Sequence, residues 1–537
     1  MRYNYNIMEF TKNKNVGVTV QYNPNDSIFL RRKQKMKRNR ALAFALIIAM
    51  LLPAFASCSE STNNAETKGS SDSTTTTPTE TTGGETTEEE TEKILPDLPD
   101  VTYEGADFNI YCSSNAEYGT VKDDFTAEEY TGEPINDARY TRNLAIEQNY
   151  DVKINVFPAA STGDGTGTNA VKQSVTTGDY AYDLTMLAGY STCKLAADNI
   201  LLDLNTVEYI DLEKPWWDQR ANSDLTVAGK LFYTTGDIST ADNEATYCVL
   251  YNKNMAEDLQ LNINPYDMVR DGTWTIDNYS SILYGVSSDL DGNGVYDKED
   301  RYGVLIWDDS IMGVVNAAGV KCCDVDSNGQ ITLTLYNDKS VSVLEKYFKF
   351  ALDKQVSFAY QRTNWDDKLI INMFQNNQAL FIQQLLQLIP KLREMDADFG
   401  VLPYYKYDEA QDTYYNTVGS WHSVFLCLPK VQKDVTRTGV IVEALAAESL
   451  YTVTPAYYDV TLKDKVARDK DSAEMLDLIF ETRTYDLGWY YAIGTYNESV
   501  MNLFRNYQSD FTSMYKKMEK VANKYISKLN EAFAEVE

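Results

Sequence analysis

Between residues 106 and 204 the chain alternates strand-period and helix-period patterns, and this alternation limits the fold more than any other feature of the sequence. In Ala106-Asp107-Phe108-Asn109-Ile110-Tyr111 every second residue is apolar, the period of a strand with one face inward. A helix is predicted over 138–149, a second strand over 151–156, a helix over 170–177 and a third strand over 181–187. Asp198-Asn199-Ile200-Leu201-Leu202-Asp203-Leu204 continues the series. Strands separated by helices imply a parallel or mixed sheet covered by those helices, so the fold class is α/β.

The sequence before this region has a different character. Lys37, Arg38 and Arg40 precede an unbroken apolar run over 41–52, and Pro53-Ala54-Phe55-Ala56-Ser57-Cys58 closes it with small residues before a cysteine. That is the layout of a secretory signal peptide. A run of about a dozen apolar residues is short of the ~20 that a membrane-spanning helix needs. Phe55-Ala56-Ser57-Cys58 resembles the bacterial lipobox, although Phe55 departs from its usual Leu. The resemblance implies a diacylglyceryl group on the Cys58 thiol and attachment to the outer, extracellular face of the cell membrane through acyl chains. The alternative is an ordinary signal cleaved after an Ala-x-Ala-like site, with Cys58 incidental. Residues 1–35, ahead of the signal at 36–57, are polar and without periodicity, and are expected to be a mis-called N-terminal extension. Residues 58–100 are rich in Ser, Thr and Glu with hardly an aromatic. Such a composition buries too little apolar surface to fold and is expected to form a disordered tether.

Charge and histidine content narrow the function. The chain carries 49 Lys and Arg against 79 Asp and Glu, a net charge of −30. Ten of the basic and two of the acidic residues lie within 1–57, leaving 39 against 77 beyond it. A field of that sign repels phosphate backbones and anionic headgroups, which argues against nucleic-acid binding and against an electrostatic membrane contact. Neutral or cationic small molecules are favoured. Of the seven cysteines, the six beyond Cys58 show no zinc-type spacing and sit in apolar runs, as buried hydrophobes do. The single histidine, His422, leaves little room for a His-based metal site or a catalytic triad. Acids are abundant, but no spacing singles out the raised and ionised carboxylate pair of a glycosidase.

A set of weak motifs then falls in order along the chain. Tyr182-Asp183-Leu184, Leu201-Leu202-Asp203-Leu204, Lys214-Pro215-Trp216-Trp217, Gly229-Lys230-Leu231-Phe232-Tyr233 and Val249-Leu250-Tyr251-Asn252-Lys253 are followed by Gly272-Thr273-Trp274-Thr275. After these come the FQNNQALF run at 374–381, Phe399-Gly400-Val401-Leu402-Pro403, and Pro455-Ala456-Tyr457-Tyr458 through Asp486-Leu487-Gly488. Together they resemble the extracellular solute-binding proteins of ABC importers, in particular the large Gram-positive sugar-binding lipoproteins (family 1, carbohydrate type). The resemblance implies a two-lobed, periplasmic-binding-protein-like fold (type II-like), with hinge strands crossing near 246–252, 418–428 and 451–459 and ligand in the cleft. By this layout lobe 1 covers 101–245, lobe 2 covers 246–420, 421–455 return to lobe 1, and 456–537 form a C-terminal helical segment on lobe 2. It implies a monomeric binding subunit, not an enzyme, that captures a carbohydrate, with an oligosaccharide expected, and passes it to ABC permease subunits. A glycan-capturing or sensor-linked surface lipoprotein, or a secreted glycosidase, stands as the alternative.

One local motif suggests a metal. Asp289, Asp291, Asn293, the Val295 carbonyl, Asp297 and Asp300 occupy positions one, three, five, seven, nine and twelve of a calcium-type loop at 289–300, with Gly292 at six for the sharp turn. A structural Ca2+ is expected there, against the alternative of an acidic turn without an ion. Asp324-Val325-Asp326-Ser327-Asn328-Gly329 looks similar but lacks the later acids and is expected to be a hairpin turn.

Sugar rings stack on aromatic faces while their hydroxyls seek amides and carboxylates, so the ligand residues are sought among such side chains near the implied cleft. Trp421 lies at an implied crossing. Trp307 follows the strand that begins at Tyr302, and Gln383 and Gln384 follow the strand at 379–382. Tyr190 and Asp237 hold similar positions, and Trp365 is a looser candidate. Trp274 and the pair Trp216-Trp217 are expected to be structural.

Overall fold

The computed structural model describes residues 93–114, 122–159, 167–364, 366–392, 395–458 and 470–535. The signal, most of the tether, Cys58 and Trp365 lie outside the described residues. Two sheets organise this region. The first runs in the order Val424–Cys427, Leu184–Ala188, Ala106–Ser113, Val152–Ala159. The last three strands are parallel, with Phe108 opposite Ile154 and Ile110 opposite Leu184, whereas Val424–Cys427 is antiparallel to its neighbour. Phe108, Ile110 and Cys112 are buried and the residues between them partly exposed, while Leu184–Ala188 is buried along its whole length. That is how a strand with both faces covered differs from one whose second face meets solvent.

The helix expected at 138–149 begins at Pro134. Proline fits the first turn, where its missing N–H would have had no partner, and the Glu133 side chain accepts from the Ile135 and Asn136 amides. The segment 198–204 departs from expectation. It makes a single bridge from Leu201 to Pro429 and then a short 3-10 turn, Leu204–Thr206, because the Asp203 side chain accepts from the Asn205 amide and ends the extended stretch.

The second sheet has the order Phe399–Leu402, Tyr247–Asn252, Ala379–Leu385, Tyr302–Ile306, Ser357–Ala359. Its last three strands are parallel, and Tyr247–Asn252 is antiparallel to both neighbours. The fold is therefore a two-lobed mixed α/β one, with a sheet in each lobe. The chain passes from the first sheet, where Thr234 bridges Leu426, to Tyr247 in the second, and returns through Val418 to Val424. It leaves the first lobe again after helix Val435–Tyr451, and helix Lys470–Glu481 then packs on the Phe399–Leu402 strand. These passages hydrogen-bond to one another, Thr246 to Val418 and Asn416–Thr417 to Arg483–Thr484.

The last helix, Phe511–Ala534, was expected to rest on the second lobe, and it reaches further. Asn530 brackets Ile331, and Tyr515 stacks on Tyr336, but Phe533 stacks on Phe232 and meets Tyr491, and the helix also touches Gly189–Ala197 of the first lobe. At 24 residues it is about 36 Å long, more than one lobe covers, and its buried residues Phe511, Tyr515, Ala522, Ile526, Leu529 and Phe533 mark a continuous apolar stripe. The hairpin expected at 324–335 is present as Cys323–Val325 and Ile331–Leu333, turning at Gly329 with φ 76°. The six described cysteines are buried and form no disulfide. Among the described residues no helix is long and apolar enough to cross a membrane.

Candidate functional site

In both sheets the parallel strands point their C-terminal ends toward one set of side chains. In the first lobe Leu184–Ala188 runs into helix Gly189–Ala197, so Tyr190 stands at the strand's end. A Cβ at Gly189 would lie 2.7 Å from Ser423 Oγ and 3.1 Å from the Ser420 carbonyl, so glycine is what lets the crossing segment lie this close. Tyr190 Oη is 3.0 Å from Ser420 Oγ and accepts from Asn497 Nδ2 at 2.8 Å. Its ring meets Trp421 edge-on, with centroids 5.6 Å apart. Burial pushes the Tyr190 hydroxyl up to about 12, so it stays a neutral donor and acceptor.

From the second lobe, Trp307 leaves the end of Tyr302–Ile306 and stacks on His422 at 5.6 Å with ring planes 17° apart. Tyr360, at the end of Ser357–Ala359, lies against the same indole at 5.4 Å. Burial, helped by the charge of Lys391, holds His422 down to about 3, so it is a neutral ring throughout the physiological range. Asp308 pairs with Arg505 from helix Tyr496–Arg505, the one before the last, and Arg505 also binds Glu498 at 2.9 Å. Burial and the neighbouring Asp308 charge push the Asp309 carboxyl up to about 7.

On these residues and their neighbours along the chain several buried polar atoms have no hydrogen-bond partner among the described residues: Trp307 Nε1, Asp309 Oδ1, both amide atoms of Gln361, His422 Nδ1, Ser423 Oγ and Asn497 Oδ1. Buried polar groups are nearly always paired, so a concentration of unpaired donors and acceptors beside half-buried rings is what a polar ligand or ordered water would satisfy.

Of the residues expected from sequence, the structure brings Trp307, Trp421 and Tyr190 together. Gln383 and Gln384 belong elsewhere. The strand extends to Leu385, so both lie inside it, paired with Val249 and Cys248, rather than beyond its end. Gln383 is fully buried in the second lobe, with Nε2 3.2 Å from Tyr405 Oη and 3.4 Å from Tyr279 Oη. Asp237 joins a different cluster, at the crossing segments. Its carboxylate accepts from Thr454 Oγ1 at 2.6 Å, and beside it Arg483 is paired with Asp218 at 2.6 Å and Asp242 at 2.8 Å. Sequence reasoning missed Tyr360, Gln361, Asn497 and Arg505. For the last two the sequence offers no more than their place on one amphipathic helix. Trp274, Trp216 and Trp217 are buried, their indole N–H groups bonded to the Pro403 carbonyl and to the two Glu443 oxygens.

In the 289–300 loop the carboxylate oxygens of Asp289, Asp291 and Asp300 lie within 4.8 Å of one another. Gly292 and Gly294 adopt φ 70° and 78° and donate their amides to Asp289 at 2.8 Å each, which lowers its carboxyl below the usual range. Asp300 is fully buried and accepts from Leu290 and Asp297. Three convergent carboxylates at positions one, three and twelve fit a hard cation. Asp297 and Asn293 instead accept from the Glu299 and Val295 amides. The loop precedes Tyr302, at the opposite end of a five-residue strand from Trp307, about 16 Å away along that strand.

Among solved structures the chain is similar to an ABC substrate-binding protein from Listeria monocytogenes in complex with cycloalternan, with 12% identity, a TM-score of 0.52, and 79% of this chain and 99% of that one covered. It is similar to a cyclic alpha-maltosyl-1,6-maltose binding protein from Arthrobacter globiformis, with 13% identity, a TM-score of 0.51, and 80% and 100% covered. A family 1 extracellular solute-binding protein from Bifidobacterium longum subsp. infantis gives 12% identity, a TM-score of 0.50, and 81% and 100% covered. At these identities the likeness is one of fold, that of the two-lobed solute-binding proteins. No protein-family model and no curated protein matches the chain.

Proposed function

We propose that this protein is the extracellular binding subunit of an ABC importer and captures a carbohydrate, with an oligosaccharide as the favoured ligand. The observation that carries the reading is the combination of stacked rings and unpartnered polar atoms where the two lobes meet. Trp307, Trp421, Tyr190 and Tyr360 offer ring faces and edges, and Gln361, Asn497, Ser423 and His422 offer donors and acceptors for hydroxyls. Solved structures of the same fold that bear the names of sugar ligands support it. A ligand touching both lobes favours the closed arrangement by its differential affinity for it, and permease subunits would read that arrangement. No chemical step is assigned to the site.

In this reading the Cys58 thiol carries the lipid, and residues 58–100 span the distance from the membrane to the binding module. A Ca2+ ion held by Asp289, Asp291 and Asp300 serves to rigidify the second lobe. Its distance from Trp307 separates it from ligand recognition.

A thermal-shift screen against mono- and oligosaccharides tests the proposal. A ligand that binds the native state alone, present at 100 times its Kd, adds about 2.7 kcal/mol of stability. A sugar that raises the melting temperature in a concentration-dependent way is the expected result. Response to peptides alone would overturn the carbohydrate reading. Mass spectrometry of the mature protein tests the anchor, and an unmodified cysteine or cleavage elsewhere would remove it.

A further inference from the structure

We propose that the ligand carries a protonated amine, seated on Asp309, so that the cleft selects an amino-bearing sugar over its neutral counterpart. The inference rests on the carbohydrate reading above and sharpens it. Asp309 occupies the cap position of helix Ser310–Ala317, where aspartate ordinarily serves by accepting from the first backbone amides, but its side chain makes no capping hydrogen bond. The usual structural reason for an aspartate at that position is therefore absent. The side chain is 8% exposed; the buried Tyr247 hydroxyl acts on the carboxyl as a hydrogen-bond donor, while Oδ1 itself has no partner among the described residues. A buried carboxylate oxygen in that state requires a donor from outside the protein or a proton of its own.

Charge counting around the site distinguishes an ammonium from a hydroxyl. Asp308, Asp309 and Glu498 supply three carboxylates, and Arg505 is shared between Asp308 and Glu498. Asp309 is thus the carboxylate that makes no ion pair of its own, with only the charge of Arg505, held by its two neighbours, reaching it. The other cation near the aromatic wall, Lys391, is exposed and acts on His422. Neutral His422 brings no compensating charge. A hydroxyl would give Asp309 a hydrogen bond and leave the charge unbalanced, whereas an ammonium supplies both, and charge-assisted bonds are roughly twice as strong as neutral ones. Burial and the Asp308 charge already raise the Asp309 carboxyl, and a bound cation is what would restore its ionised form.

The test is isothermal titration of the full-length protein at about pH 6.5, where a large share of the glucosamine amines is protonated, with three probes. These are the glucosamine β-1,4-trimer, cellotriose, which has the same backbone with a hydroxyl in place of each ammonium, and maltotriose. The glucosamine trimer is expected to bind about 10-fold or more tightly than cellotriose. In Asp309→Asn that preference should fall to within about 3-fold, while Trp307→Ala should weaken all the probes that bind. Neutral trimers binding as tightly as the amino trimer would overturn the amine and leave the carbohydrate reading standing. A preference that survives Asp309→Asn would overturn the assignment to Asp309. If none of the three binds, the amine proposal fails, and the carbohydrate reading is decided by the thermal-shift screen. The wild-type comparison decides the main question even if the Asp309 variant does not fold.

Discussion

Arg483→Met tests how the crossing segments are held together. The guanidinium is buried between Asp218 at 2.6 Å and Asp242 at 2.8 Å, and both carboxylates have almost no exposure of their own. Asp218 keeps two partners without it, the Tyr485 hydroxyl at 2.8 Å and the Ala221 amide at 2.9 Å. Asp242 does not, because its Oδ1 already lacks a partner and its Oδ2 faces Arg483. Removing one member of a buried pair typically costs about 3–5 kcal/mol. The cost here should depend on pH. Burial raises the Asp242 carboxyl to about 6 even with Arg483 beside it, and without that charge it rises further. A carboxyl whose folded value lies above its unfolded one, about 4, binds its proton more tightly in the folded state. Its penalty is then fully present at high pH and disappears as pH falls through the folded value. Between pH 8 and a wild-type value of about 6, the additional penalty in the variant is at most roughly 3 kcal/mol, and at pH 5 Asp242 is protonated in both proteins. His422, neutral when folded and protonated when unfolded below about pH 6.5, lowers stability at acid pH in both proteins alike and cancels in the difference. The expected loss is therefore about 3–5 kcal/mol at pH 8, with about half or more of it recovered at pH 5. Urea unfolding followed by tryptophan fluorescence at the two pH values measures it. Thermal midpoints would move by only about 1 °C per kcal/mol in a unit of this length. Equal losses at pH 5 and pH 8, or a smaller loss at pH 8, would refute the reasoning.

Gly189→Ala should disturb the site with little change to the first lobe's core. The new Cβ would meet Ser423 Oγ at 2.7 Å and the Ser420 carbonyl at 3.1 Å, so stability should fall by about 1–3 kcal/mol and sugar affinity should fall with it, measured by unfolding and titration in parallel. A chelator should lower the melting temperature of the wild type, and Asp289→Ala should abolish that sensitivity. Chelation without effect would remove the calcium proposal.

The parts legible from sequence were those governed by short periods. Phe108, Ile110 and Cys112 alternate inward as their spacing implies, and the Tyr302 strand and the 324–335 hairpin lie where their patterns put them. Strand ends were less legible. Apolar alternation gives no stop signal after Ile382, and the ladder from Tyr247 to Leu385 carries Gln383 and Gln384 into the sheet, where Tyr279 and Tyr405 lie within reach of Gln383. The buried cluster of Asp237 was illegible for another reason. A lone acid after Tyr233-Thr234-Thr235-Gly236 has the same appearance whether it faces ligand or neighbours an arginine 246 residues away.

The same limit explains helix Tyr496–Arg505, whose amphipathic pattern announces a packed face but not which two surfaces it serves. Asn497 donates to Tyr190 of the first lobe, and Arg505, eight residues on and about 12 Å along the axis, pairs with Asp308 of the second. Any separation of the lobes at this helix must therefore break one contact or the other. The Arg505–Asp308 pair is charge-assisted and half-buried, and the helix also packs on Ser310–Ala317 of the second lobe, whereas the bond from Asn497 to Tyr190 is a neutral one at 2.8 Å. The weaker contact is the one to the first lobe. The helix should therefore travel with the second lobe, carrying Asn497 away from Tyr190 and leaving Tyr190 and Trp421 on the first lobe and the crossing segment. Half of the site's polar groups would then be presented by each side of the cleft, which is the division that makes ligand contact favour closure.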